Sequence, residues 1–233
     1  MADAITYHHD IEQGSGAWLD LRKGRLTASN VGKVLTPTLK LAGNSDSRRI
    51  VYQMVADQVT DFQEEHFVSW DMARGHEDEL VAADVYADTY PLNGEVQTCG
   101  FVTRDDLGFP FGYSPDGLVG PRGLLEVKSR LPALQIKEAL EHLVKGEVPP
   151  GDRLQVQAGL LATNREWCDY VLFSAGVPML KVRAVPDRQI HDAIIAAGLA
   201  LKARVDTELE RYRLFAKDFP ATAPRPPTME LAA

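Results

Sequence analysis

The sequence contains few cysteines and no long apolar segment, and both absences narrow its class. Its 233 residues include two cysteines, Cys99 and Cys168, which are too few for a disulfide framework and share no metal-ligand spacing. No apolar run approaches the roughly 18 residues that a membrane helix requires. The first residues lack the basic and apolar regions of a secretory signal, and no phosphate-binding loop or dinucleotide fingerprint is present. We therefore expect a cytoplasmic protein that has no membrane partner.

The composition is that of a globular protein with a core. Apolar residues make up 45% of the chain and charged residues 25%, which excludes disorder or a coiled coil as a description of the whole chain. We expect one domain over residues 1–217, followed by a Pro/Ala-rich tail over residues 218–233 that is disordered.

The charge of the chain is unevenly distributed. The formal net charge of −8 argues against nucleic acid as a partner. Residues 21–50 nevertheless hold seven basic residues and one acidic residue, whereas residues 57–88 hold ten acidic residues and one basic residue. Such a chain can hold a polyanion at one surface while repelling it elsewhere. Two solvated surfaces of opposite sign are the alternative explanation.

Hydrophobic periodicity and turn residues predict a mixed α/β fold. Helices are predicted at 17–23, 31–35, 50–62, from Gly75 to Tyr90, and at 132–145, 153–163 and 186–215. Strands are predicted at 95–103, 109–119, 123–128, 170–174 and 179–184. This order suggests one mixed sheet flanked by helices, with a long helix at the C-terminus.

The densest chemical signal is a Pro-Asp-Gly turn at Asp116 followed by the segment Leu124–Lys128. Side chains alternate along a strand, so Glu126 and Lys128 point to the same side, and Asp116 could meet Glu126 across the hairpin. Two carboxylates beside an ammonium group suit a hard divalent cation such as Mg²⁺. A surface hairpin with an exposed ion pair, worth at most about 1 kcal/mol, is the alternative.

Five short segments, taken in order, carry a resemblance to a known family. They are Trp18–Arg22 with Thr27–Ser29, Gly75–Glu79, Ser114–Gly117, Leu125–Lys128 and Gln155–Gln157. In this order and spacing the chain resembles the lambda-type phage exonucleases, including the YqaJ-like viral recombinases, of the PD-(D/E)xK nuclease superfamily. The resemblance runs from about residue 12 to residue 175. It implies a restriction-endonuclease-like α/β core with a central mixed sheet, extra N-terminal helices and a long C-terminal helix.

The resemblance also implies a metal site. Asp116, Glu126 and the main-chain carbonyl of Val127 match the metal ligands of the family. Two Mg²⁺ ions are implied, with Mn²⁺ as an expected substitute.

Three further residues match positions around that metal site. Lys128 resembles the lysine that activates or positions the attacking water, and Glu79 matches an acidic residue that completes the metal and water shell. Gln155 matches the glutamine that positions the nucleophile or the lysine. Gln157 lies about 200° further round the helix and cannot perform the same function.

Arg22, Ser29 and Ser114 match residues that hold a terminal 5′-phosphate in the family. Arginine offers phosphate a bidentate contact, and Ser29 is expected to open a helix whose free N–H groups favour an anion. Trp18 is expected to serve in packing.

The activity implied by the resemblance is Mg²⁺-dependent 5′-to-3′ exonuclease action on double-stranded DNA ends. The product would be a 3′ single-stranded overhang for recombination by single-strand annealing. The family also implies a homotrimeric ring, a phage single-strand annealing protein as partner, and a phage or prophage gene expressed in the bacterial cytoplasm.

Two alternatives remain open from the sequence. The first is a nuclease of the same superfamily with another substrate, either a structure-specific endonuclease or a single-strand exonuclease. The combination of Arg22 and Ser29 argues against it, because an endonuclease has no terminal phosphate to hold. The second is a DNA-binding recombination module with an inactive site, and the intact set of Asp116, Glu126 and Lys128 argues against that.

Overall fold

The chain folds as a mixed α/β protein, and its strands form two sheets in the part of the chain that the structure describes. The structure is a computed structural model that describes residues 4–60 and 70–223. The strands are β1 (Ile5–His8), β2 (Leu26–Thr27), β3 (Val96–Gln97), β4 (Phe101–Arg104), β5 (Phe111–Tyr113), β6 (Gly117–Val119), β7 (Gly123–Ser129), β8 (Trp167–Phe173) and β9 (Leu180–Ala184). The helices are α1 (Gly16–Arg22), α2 (Val31–Val34), α3 (Ser45–Ala56), α4 (Trp70–Thr89), α5 (Pro132–Glu141), α6 (Pro150–Thr163) and α7 (Arg188–Ala216). Within these described ranges no helix has the length and hydrophobicity needed to cross a membrane.

The five-stranded sheet has β7 as its middle strand. Its order is β3-β6-β7-β8-β9, with β7 and β8 parallel and the other neighbours antiparallel. Because side chains alternate along a strand, β7 packs on two clusters. Leu124 faces the main core, which includes residues of α6 and α7, whereas Leu125 and Val127 face a smaller core with Ala82 and Tyr86 of α4. Helices therefore cover both faces of β7.

The second sheet has four strands in the order β1-β4-β5-β2, so the single sheet suggested by the sequence is in fact two. The predicted strand at 95–103 divides into β3 and β4, and that at 109–119 divides into β5 and β6, which belong to different sheets. The break between β5 and β6 contains Pro115, which lacks an N–H group for a strand ladder. Asp116 therefore lies where the chain passes from one sheet to the other.

The helices follow the predicted pattern with shifted boundaries. α3 begins earlier than predicted because Asn44 caps it, accepting a hydrogen bond from the Ser47 N–H group at 2.9 Å. The helix also ends at Ala56, so the predicted continuation over residues 57–60 is wrong, and the rest of it, to Phe62, lies outside the described ranges. α4 begins before Gly75, and its buried residues include Ala82 and Tyr86, whereas Leu80 is exposed.

The long C-terminal helix is confirmed. α7 begins after Asp187, whose carboxylate accepts hydrogen bonds from two N–H groups of the first turn. Its buried residues recur every three or four positions and lie in the main core: Ile190, Ile194, Ala197, Leu201, Val205 and Leu209. Residues 224–233 of the predicted tail lie outside the described part of the chain.

Candidate active site

Glu126 and Lys128 lie side by side on β7. The Lys128 Nζ atom is 2.7 Å from Glu126 Oε1, and the Glu126 side chain is 1% exposed. Burial by itself would lower the pKa of Lys128, but the carboxylates of Glu126 and Asp116 raise it overall. Lys128 is therefore a cation at neutral pH, and it partly offsets the charge of a buried carboxylate.

Gln155 of α6 joins this pair into a closed set of contacts. Its Nε2 atom donates to Glu126 Oε1, and its Oε1 atom accepts a hydrogen bond from Lys128 Nζ at 3.3 Å. The other Glu126 oxygen accepts a hydrogen bond of 2.6 Å from the Tyr113 hydroxyl. Both oxygens of this buried carboxylate thus have partners, as burial of a charge requires.

Tyr113 lies at the end of β5 and was not predicted from the sequence. It is fully enclosed because α6 comes close to it at Gly159, where a Cβ atom would lie 2.8 Å from the tyrosine ring. No local signal identifies this contact, since Tyr113 and Gly159 are far apart in the chain.

Asp116 is fixed to the same strand through the main chain. Its Oδ2 atom accepts a hydrogen bond of 2.7 Å from the Val127 N–H group. Burial raises the pKa of Asp116 well above its usual value, and the charges of Glu126 and Glu79 raise it further. The Asp116 carboxylate therefore lies close to both glutamates, although its hydrogen bond is to the backbone between Glu126 and Lys128.

Glu79 reaches this region from α4. Burial raises its pKa, Lys128 opposes that shift and Glu126 adds to it. The neighbouring Asp78 accepts a hydrogen bond from the Ser129 hydroxyl, which lies next to Lys128 on β7. This contact ties α4 to the end of the strand that carries Glu126 and Lys128.

The donor chemistry of this cluster fits a hard divalent cation. Asp116, Glu126 and Glu79 offer carboxylate oxygens, the donors that Mg²⁺ prefers, and they destabilise one another's charged forms as described above. Across residues 4–60 and 70–223, however, no three His, Cys, Asp or Glu side chains are grouped as a metal centre. Both Glu126 oxygens accept hydrogen bonds from protein groups instead.

Arg22 and Ser114 lie together at a second position. Arg22 Nη1 donates to Ser114 Oγ at 3.4 Å, and the Trp18 indole Nε1 donates to the same oxygen at 2.9 Å. The guanidinium carbon of Arg22 is 4.2 Å from the centre of the Trp18 ring, and burial lowers the pKa of Arg22. Trp18 thus contacts two of the three predicted phosphate-binding residues, Arg22 and Ser114. The i, i+4 spacing of Trp18 and Arg22 on α1 was the sequence signal for this contact.

Ser29 is exposed and follows the C-terminal end of β2, as Ser114 follows the C-terminal end of the neighbouring strand β5. Thr27 of β2 pairs in parallel with Gly112 of β5, so Ser29 and Ser114 each follow two residues after these partners. Ser29 lies inside the 3₁₀ turn Ala28–Asn30 and caps no helix, which differs from its expected place at a helix start.

Further positive charge lies near Arg22. Burial lowers the pKa of Lys33, the charges of Arg49 and Arg22 lower it further, and the charge of Asp46 opposes them. These side chains come from α1, α2 and α3, within the basic segment counted in the sequence. Helices α1 to α3 therefore bring positive charge together.

Gln157 has a different environment from Gln155. Its Nε2 atom donates to the Val185 carbonyl at 2.8 Å, and its Oε1 atom accepts a hydrogen bond from the Asp187 N–H group at 2.8 Å. Gln157 therefore links α6 to the start of α7 and does not contact Lys128.

The fold and these residues define a class of protein. A Pro-Asp segment before β6 whose carboxylate bonds to the Glu-Val-Lys segment of the neighbouring strand β7, in a mixed sheet between helices, is the arrangement of the restriction-endonuclease-like PD-(D/E)xK proteins. The sequence matches the model of the YqaJ-like viral recombinase domain over residues 17–166, more than half of the chain. The chain belongs to that family.

Solved structures support the same assignment. The chain is similar to an alkaline exonuclease from Laribacter hongkongensis, LHK-Exo, with 25% identity and a TM-score of 0.75 over 88% of this chain and 100% of that one. The complex of LHK-Exo with dAMP gives 26% identity and a TM-score of 0.76, with the same coverage of both chains. A phage-related exonuclease from Haemophilus somnus 129PT shares the fold, at 16% identity and a TM-score of 0.59 over 80% of this chain and 96% of that one. No curated protein gives a significant match.

Proposed function

We propose that this protein is a Mg²⁺-dependent 5′-to-3′ exonuclease that acts on double-stranded DNA and produces 3′ overhangs for phage-type recombination. The observation that carries the proposal is the closed contact set of Glu126, Lys128 and Gln155 beside Asp116. Membership of a viral recombinase family and similarity to an alkaline exonuclease support a nuclease that acts in phage recombination.

The proposed chemistry assigns a separate function to each group. Asp116, Glu126 and the Val127 carbonyl would hold the Mg²⁺ ions, with Glu79 completing the site. When bound, the metal supplies Lewis-acid stabilisation of the phosphate and lowers the pKa of the attacking water.

Lys128 would orient the attacking water, and Gln155 would position either that water or the Lys128 side chain. The Lys128 ammonium group, charged because carboxylates surround it, orients the water toward the phosphate. Gln155 holds the ammonium group in place through its Oε1 atom.

The proposed 5′-to-3′ direction of cleavage depends on Arg22, Ser114 and Ser29. Arg22 can form two parallel hydrogen bonds with a phosphate, and Ser114 and Ser29 follow the C-terminal ends of the neighbouring strands β5 and β2. A 5′-phosphate held there would direct cleavage to the 5′-ended strand.

The partners proposed for this activity are double-stranded DNA ends, two further copies of this chain in a ring, and a phage single-strand annealing protein. We place the activity in the cytoplasm of a bacterial host, encoded by a phage or prophage. Mn²⁺ is proposed as a substitute for Mg²⁺.

End-labelled DNA tests the proposal. Linear duplexes carrying a label at the 5′ or the 3′ end, with a 5′-phosphate or a 5′-hydroxyl, are incubated in Mg²⁺ or EDTA. We expect loss of the 5′-ended strand in Mg²⁺ only, faster with the phosphate. Lys128→Ala should lower the rate by about 10²-fold or more. Lys202→Ala is the matched control, because Lys202 lies on the surface of α7 and pairs with Asp206.

Other outcomes favour the alternatives. Internal cuts, cleavage of single strands only or loss of the 3′-ended strand would retain a nuclease but reject end recognition at Arg22. Equal rates on 5′-phosphate and 5′-hydroxyl ends, unchanged in Arg22→Ala, would also reject recognition of the end by Arg22. DNA binding without cleavage in Mg²⁺ or Mn²⁺ would indicate an inactive recombination module.

A further inference from the structure

A second group of charged side chains lies beside the candidate site and is not part of it. Arg130 follows β7, and its Nη2 atom is 2.6 Å from Asp152 Oδ2 while its Nε atom is 3.1 Å from Glu138 Oε2. The Tyr170 hydroxyl of β8 donates to the same Asp152 oxygen at 2.6 Å. These charged side chains are mostly enclosed, with Asp152 14% exposed. Removing these charged groups from water costs free energy, and only well-formed ion pairs and hydrogen bonds offset that cost.

Asp152 and Gln155 connect α6 to β7 at two points. Lys128 and Arg130 are two residues apart along the strand direction, so their side chains leave the same side. Asp152 and Gln155 are three residues apart and lie on one side of the helix. Lys128 contacts Gln155, and Arg130 contacts Asp152. Two such contacts set both the rotation of α6 and its position along β7.

The negative charge of Asp152 is favourable at the N-terminus of α6. It lies in the first turn of α6, where the helix dipole favours a carboxylate. Its two partners come from separate elements, because Arg130 follows β7 and Tyr170 belongs to β8. Arg130 also pairs with Glu138 of α5. Arg130 is itself held at the sheet by its N–H group, which donates to the Phe173 carbonyl at 2.9 Å. Asp152 therefore fixes the start of α6 to two parallel strands.

We propose that Asp152 is a positioning residue, which through Arg130 and Tyr170 holds α6 so that Gln155 stays in contact with Lys128. The inference rests on the nuclease function proposed above. Asp152 does not touch the reacting atoms in this scheme. Its loss should slow the chemical step while leaving the surface that binds DNA unchanged.

A double-mutant cycle tests the inference. The variants are Asp152→Asn, Gln155→Ala and the double variant, with the exposed Asp206→Asn of α7 as control. Single-turnover cleavage of a 5′-phosphorylated duplex in Mg²⁺, the Kd for the same duplex in Ca²⁺, and the thermal midpoint are measured for each. We expect Asp152→Asn to lower the cleavage rate by about 10- to 100-fold, with the Kd within about twofold. In the Gln155→Ala background the same change should cost less than about threefold, because residues that act through one another are not additive.

The outcomes separate this inference from the proposed function. Multiplicative losses in the double variant, or an Asp152→Asn variant as active as wild type, overturn the inference and leave the nuclease intact. An inactive wild type overturns the proposed function and this inference with it. If Asp152→Asn does not fold, Tyr170→Phe removes one hydrogen bond and leaves the Arg130 pair. It should then show a smaller rate loss that is absent in the Gln155→Ala background, and an additive loss contradicts the inference.

Discussion

Two fully buried carboxylates, Glu126 and Asp169, have different surroundings. Glu126 accepts hydrogen bonds from one ammonium group, one amide and one hydroxyl. Asp169 lies between two cations, with Arg183 Nε at 2.7 Å and Lys181 Nζ at 3.1 Å. Glu126 therefore has one cationic partner, with the carboxyl groups of Asp116 and Glu79 close by, whereas Asp169 has two cationic partners.

Trp18 is the residue whose expected function changes most. We predict that Trp18→Phe lowers the preference for 5′-phosphate over 5′-hydroxyl ends by about fivefold, because it removes the indole hydrogen bond to Ser114, worth about 1 kcal/mol. The phenyl ring still packs against Arg22. Initial rates on the two kinds of end measure the preference, and Trp167→Phe on β8 is the control. Equal losses on both ends would show that Trp18 only packs.

At the scale of elements, α4 is attached to the five-stranded sheet by hydrogen bonds as well as by packing. The Tyr86 hydroxyl donates to Asp169 at 2.6 Å, in a pair buried between α4 and β8. The Ser129 hydroxyl donates to Asp78 near the middle of the helix. These two attachments position α4, which carries Glu79, against β7 and β8.

The Asp169 network predicts a pH-dependent contribution to stability. Burial would raise the pKa of Asp169, but hydrogen bonds from Arg183, Tyr86 and Lys181 lower it overall. A carboxyl group with a lowered pKa stabilises the fold above its unfolded value of about 3.9, and this contribution disappears as the pH falls through the folded value. Asp169→Asn should lower the free energy of unfolding by about 3 kcal/mol at pH 7.

Urea unfolding of wild type and Asp169→Asn at several pH values checks this prediction. The difference between the two proteins should shrink as the pH falls below about 3.9. The exposed Asp206→Asn serves as control. A difference that stays constant down to pH 2, or is absent at pH 7, would contradict the prediction.

At the scale of the whole molecule, opposite charges lie on different elements. Helices α1 to α3 carry the basic residues around Arg22, whereas the described part of α4 exposes the acidic residues Glu77, Asp84 and Asp88. A DNA end would be attracted to one part of the surface and repelled by another. This separation makes a net charge of −8 compatible with the proposed DNA substrate.

The proposed ring gives a prediction at the same scale. A ring needs two different contact surfaces on each chain, and both α4 and α5 expose apolar side chains, including Val81 and Leu140. Sedimentation equilibrium should give three times the chain mass of 25.7 kDa. A mass equal to one chain at micromolar concentration would contradict the trimer.

The sequence by itself determined most of the helices, the central strand β7 and the order of the motifs, but not β1, β2 or the division of two predicted strands. Apolar periodicity located most helices to within a few residues, the Pro-Asp-Gly segment preceded the hairpin of β6 and β7, and strand alternation placed Glu126 beside Lys128. These features depend on residues within a few positions of one another, so short-range rules were sufficient.

Only the tertiary structure decided how distant segments meet. The division into two sheets, the Tyr113 contact with Glu126, the Trp18 contact with Ser114 and the Asp152 contact with Arg130 join residues well separated in sequence. Periodicity does not encode such pairs, because they depend on how helices and strands pack together. The alternation of β7 was therefore readable from the sequence, whereas the partners that surround its side chains were not.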